Sequence, residues 1–103
     1  MTEEKNWKLK LRYGKLKTPY QHYTVIVPVA INEYIDAQPG TAYAGINMWA
    51  TDTNEATDIV VSLGKQAGFL ITGKIEVYKT DPVQAPEENA YAYDINFTYY
   101  NKQ

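Results

Sequence analysis

Few residues in this chain could do acid–base, nucleophilic or metal chemistry. The 103 residues include one histidine (His22), one serine (Ser62), one arginine (Arg12) and no cysteine. With no thiol there is no cysteine nucleophile, no zinc–thiolate site and no disulfide framework. Ser62 lies in a helical pattern without the glycine-flanked elbow that exposes a catalytic serine. His22 sits inside a strand pattern, and Asp94 is the least implausible polar partner for it. Asp52, Glu55 and Asp58 gather at a helix start, where acids are expected from capping and from the helix dipole rather than from a metal. Asp81, Glu87 and Glu88 lack the spacing of a calcium loop. Gly14, Gly64, Gly68 and Gly73 form no phosphate-binding fingerprint. The expectation is a protein that is not an enzyme and that carries no metal and no cofactor.

The distinctive side chain is tyrosine, with ten in the chain. Tyrosine suits strands, and it also suits interfaces because a large apolar ring ends in one polar group. Trp49 and Tyr43 share one parity of a strand pattern, and Tyr78 falls opposite Ile75 and Val77 in another. These three are the candidate interaction surface.

The formal net charge is −2, but it is unevenly spread. Residues 1–17 carry +4 and the remaining 86 carry −6. Lys8, Lys10 and Arg12 alternate with Trp7, Leu9, Leu11 and Tyr13, which predicts a half-buried strand with one basic face. That face is the alternative candidate, for a single-stranded nucleic acid. An acidic chain of pI about 5.3 lacks the general basicity of nucleic-acid binders, so nucleic acid is not the expected partner.

The elements that must position these residues follow from periodicity. Tyr20–Val29 alternates, with Tyr23, Val25, Val27 and Val29 inward and His22, Thr24 and Ile26 outward. Pro28 cannot donate to a ladder and marks an edge or a bulge. Residues 30–41 read as a loop closed by Pro39-Gly40. Ala42–Ala50 is a strand whose small face (Ala42, Ala44, Ile46, Met48, Ala50) invites a helix. Asp52 then caps a helix over 53–67, with Ala56, Ile59, Val60, Leu63 and Ala67 as its inward stripe and Gly68 at its end. Phe69–Thr80 is extended, with a bend or bulge at Gly73. Residues 81–89 are a polar loop, and Tyr91–Tyr99 is the last strand, with Tyr91, Tyr93, Ile95, Phe97 and Tyr99 on one side.

The expected fold is a single α+β domain over 1–103. It is a five-stranded, mostly antiparallel sheet in the order β-β-β-α-β-β, with one helix on one face. The alternative is an OB-like barrel, which shares five strands and a helix after the third. The N-terminus has no apolar signal core and no run approaches membrane-spanning length, which predicts a cytoplasmic chain with no membrane partner. The expected function is non-catalytic protein interaction, with a protein partner or a homodimer formed through the helix-free sheet face; the alternative for that face is that the loops at 30–41 and 81–90 fold back over it. Small acidic antitoxin- or immunity-type proteins are similar in size and charge, though not in any motif. A single-stranded nucleic-acid or small-ligand binder on the barrel fold is the alternative.

Overall fold

The computed structural model describes residues 3–31 and 40–99. Tyr34 and Ile35 of the expected 30–41 loop therefore lie outside the described residues. A helix α1 (Glu3–Arg12) precedes two long strands, β1 (Gln21–Ile31) and β2 (Gly40–Ala50). A second helix α2 (Thr53–Ala67) leads to β3 (Phe69–Ile71), β4 (Glu76–Lys79) and β5 (Tyr91–Tyr99). Every strand pairing among the described residues is antiparallel, and the sheet order is β3-β1-β2-β5, with β4 also on β1. This is an open sheet with one main helix, so the α+β reading holds and the described strands close no barrel.

The first expected strand is instead α1, and the element order is therefore α-β-β-α-β-β-β. The physical reason is propensity. Glu, Lys, Leu and Arg are good helix formers, and no β-branched residue occurs between Glu3 and Tyr13. Lys10 and Arg12 stand in the last turn, at the negative end of the dipole. In the helix, Trp7 and Leu11 share a half-buried face four residues apart, while Leu9 and Tyr13 are exposed. Gly14, at φ 77°, terminates the helix.

Five strands are still reached because the extended stretch from Phe69 divides. β3 pairs with Val29–Ile31 and β4 with Tyr23–Ile26, both along the same edge of β1. Between them the chain bows out opposite Pro28, and one bond crosses, from Thr72 N–H to the Pro28 carbonyl at 2.9 Å.

The inward face of β1 and β2 carries Val25, Val27, Val29, Ala42, Ala44, Ile46 and Met48, all fully buried. α2 lies on this face with Val60 fully buried and Ile59 and Leu63 partly so. Its start is as expected: Asp52 Oδ1 accepts from Glu55 N–H at 2.9 Å, and Glu55 Oε1 accepts from Thr51 N–H at 2.7 Å. Gly68, at φ 91°, takes the left-handed position that ends the helix. Ala67, expected on the inward stripe, is exposed, and Gly64 is buried there instead against Phe69.

β5 departs from simple alternation. Asn47 pairs with Tyr93 but Gly45 pairs with Asn96, so β5 carries one extra residue across that step. Asp94 takes φ 54° in this bulge. One inserted residue exchanges the faces of everything beyond it. Tyr91 and Tyr93 therefore face away from α2, while Phe97 packs into the α2 core.

Candidate functional site

The helix-free face carries His22, Thr24, Ile26 and Pro28 from β1, with the cross-strand partners Trp49, Asn47, Gly45 and Tyr43 from β2. Tyr78 and Glu76 extend it along β4, opposite Thr24 and Ile26. Cross-strand pairs project on the same side, so the three aromatics expected on this face do share it. Their surroundings differ.

Trp49 is only 2% exposed, and its indole N–H donates to the Gln84 carbonyl at 2.9 Å. It is therefore a floor residue rather than part of an open surface. The cover is the segment 80–90, which must cross from the β4 edge to the β5 edge and does so over this end of the sheet. Tyr93 Oη accepts from the Val83 and Gln84 N–H groups at 3.2 and 3.3 Å. Tyr91 donates its phenolic hydrogen to the Ala85 carbonyl, and Tyr20 donates to the Glu88 carbonyl at 3.1 Å.

Under the segment lies His22, 2% exposed, edge-on to the Trp49 ring with centroids 5.1 Å apart. Its Nε2 is 2.5 Å from Tyr93 Oη, and its Nδ1 is 3.0 Å from Thr80 Oγ1 and 3.2 Å from the Thr80 carbonyl. The hydrogen count fixes the tautomer. Tyr93 Oη already accepts two N–H groups, so its own hydrogen goes to His22 Nε2, and Nδ1 carries the ring proton toward Thr80. Burial lowers the His22 pKa, against smaller opposing effects of the Thr80 carbonyl and the Asp81 charge. The structure thus brings Tyr93 and Thr80 to His22. Asp94, the partner considered from sequence, is exposed in the β5 bulge.

The other half of the face is open. Tyr43 and Tyr78 are each 47% exposed, and Ile26 is 38% exposed between them. By strand spacing the two tyrosines stand at opposite corners, about 13 Å apart along the strands and ~10 Å across them. Ile26, Pro28, Tyr43, Lys74 and Glu76 line a shallow depression. The Tyr78 hydroxyl donates to the Glu76 carboxylate, which raises the Tyr78 pKa.

The expected basic strand face is absent as such, because Lys8, Lys10 and Arg12 lie on α1. Residues two apart on a helix point nearly opposite ways, so Lys8 and Arg12 remain neighbours and Lys10 does not join them. Trp7, Lys8, Leu11 and Arg12 line a gap whose other wall is Asp81 and Pro82. Asp52 and Glu55 are committed to the α2 cap, and no cluster of metal-ligating side chains occurs among the described residues. Nor is any helix among them long and apolar enough to cross a membrane.

Sequence reasoning misses the His22–Tyr93–Thr80 cluster. A signal is present: His22, Trp49, Tyr91 and Tyr93 fall at the same end of adjacent strands once the register is known.

No family model matches the chain, and no solved structure matches it. Over 76 residues it is 26% identical to a subunit of eukaryotic translation initiation factor 3 from Mycosarcoma maydis. That stretch is 74% of this chain but only 8% of the relative.

Proposed function

We propose that this is a non-catalytic protein-interaction domain whose contact surface is the open half of the helix-free face. The observation that carries the reading is the depression floored by Ile26, Pro28 and Tyr43. Apolar side chains exposed together within a polar surround are the composition of an interface centre. Lys74 and Glu76 line the same depression. Opposite charges on one small patch suit a second copy of the chain, since a two-fold axis sets the lysine of each protomer against the glutamate of the other. The fungal relative is by its name a subunit of a larger factor, which agrees with a role in assembly.

The test is mass in solution by light scattering over a range of concentrations, for wild type, Ile26→Lys and Tyr43→Lys. Both positions are exposed, so both variants should fold, as judged by circular dichroism. A dimeric parent with monomeric, folded variants is the expected result. A wild type still monomeric at high micromolar concentration would remove the homodimer.

A further inference from the structure

We propose that residues 80–90 are a strap that neutral His22 holds over the sheet, and that protonation of His22 releases it and uncovers Trp49, Tyr91 and Tyr93. The strap's hydrogen bonds decide this, whatever binds the open half of the face. In the closed state each polar atom of the cluster has a role. Thr80 N–H donates to the His22 carbonyl at 3.3 Å, and the Thr80 hydroxyl also meets Thr24 Oγ1 at 2.8 Å. Tyr93 Oη accepts from two strap amides and gives its hydrogen to His22 Nε2.

A second ring proton has no place in this arrangement. Protonated Nε2 would point an N–H at Tyr93 Oη, whose two lone pairs are already taken and whose own hydrogen would lose its acceptor. The conflict is relieved by giving up the Val83 and Gln84 amide bonds, two of the strap's attachments, which leaves the Trp49–Gln84, Tyr91–Ala85 and Tyr20–Glu88 bonds to hold it alone. The surroundings do not rescue the charge. β2 presents the uncharged Trp49 and β5 presents Tyr93. Asp81 is the acid whose charge favours protonation, and Lys8 and Arg12 of α1 line the same gap as that carboxylate. Glu87 on the strap acts on Tyr91.

The sign follows from linkage. Buried His22 binds its proton less readily than a freed histidine, whose pKa is about 6.5. The closed strap is therefore fully favoured above that value. As pH falls below it, the opening equilibrium shifts toward the open form by up to about tenfold per pH unit, until the closed-state pKa is reached.

The experiment uses the full chain carrying Trp7→Phe, which leaves Trp49 as its sole tryptophan. Acrylamide quenching of Trp49 is followed from about pH 7.5 to about pH 5, above the ordinary carboxylate range. The His22 Cε1–H resonance and the far-ultraviolet circular dichroism are recorded on the same samples. Expected is a severalfold rise in quenching whose midpoint coincides with the His22 titration, with unchanged circular dichroism, and a pH-independent signal in His22→Gln. Flat quenching, a midpoint apart from that of His22, or loss of the dichroism in step with the quenching would each overturn the proposal. If His22→Gln does not fold, agreement between the two midpoints in the parent decides.

Discussion

Gly73 packs so closely on the ring of Pro28 that a Cβ on the glycine would stand 2.6 Å from Pro28 Cγ. The two irregularities of the sheet edge are thus one joint. A strand residue presents its N–H and C=O to the same neighbour, and the Pro28 carbonyl faces Thr72. The missing proline N–H therefore falls where the edge strand bows away, so no donor there is left without a partner.

Gly73→Ala tests the joint. The added methyl must displace the proline ring or the bend, and overpacking of this kind costs about 1–3 kcal/mol. The check is the midpoint of denaturant unfolding, which should fall while the unfolding slope stays unchanged.

Val60 and Leu63 separate full from partial burial on α2. Val60→Ala, at a fully buried site, should cost about 2–3 kcal/mol, while Leu63→Ala should fall at or below the low end of the ~2–5 kcal/mol range for core leucines. A larger loss for Leu63→Ala than for Val60→Ala in parallel urea titrations would show that α2 is rotated on the sheet.

Trp49→Lys should lose the fold rather than change the oligomeric state. An ammonium would replace a ring that is 2% exposed, with no acid given to it in return. Tyr93→Phe is gentler. It strips the hydrogen-bond partner from buried His22 Nε2 and from two strap amides, and it should cost about 1–3 kcal/mol. Calorimetry distinguishes the two: a lowered but cooperative transition for the phenylalanine variant, and none for the lysine variant.

Single-stranded oligonucleotides should bind no tighter than the micromolar range at physiological salt. Residues 18–103 carry −6, and α1 keeps Lys8 and Arg12 together but turns Lys10 away. Fluorescence anisotropy with a labelled oligonucleotide checks this. Sub-micromolar, salt-sensitive binding lost in Lys8→Ala and Arg12→Ala would reverse the conclusion.

β1, β2 and α2 are legible in the sequence because several signals agree: alternation with β-branched residues in β1, an aspartate cap, and a glycine stop. α1 is misread when alternation alone is followed, because helix propensity points the other way. Parity assigns the face carrying Trp49 correctly, but parity says nothing about cover. Whether Trp49 is wet depends on a connection that crosses the sheet after β4, and that crossing is set by hydrogen bonds between distant residues. Simple alternation puts Tyr93 on the side of Phe97, because the extra residue at Asp94 leaves no mark in an alternating string of tyrosine and isoleucine.

The bulge at Asp94 has a further consequence, for how copies of this chain meet in concentrated solution. An unbroken outer strand is a template on which another chain can stack, and sheets with such strands are prone to fibril growth. Here both rims are interrupted. On one, β3 and β4 offer three and four residues separated by the kink at Gly73, and on the other β5 is bent midway by its inserted residue. Runaway polymerisation by strand addition is thereby discouraged along both of these borders.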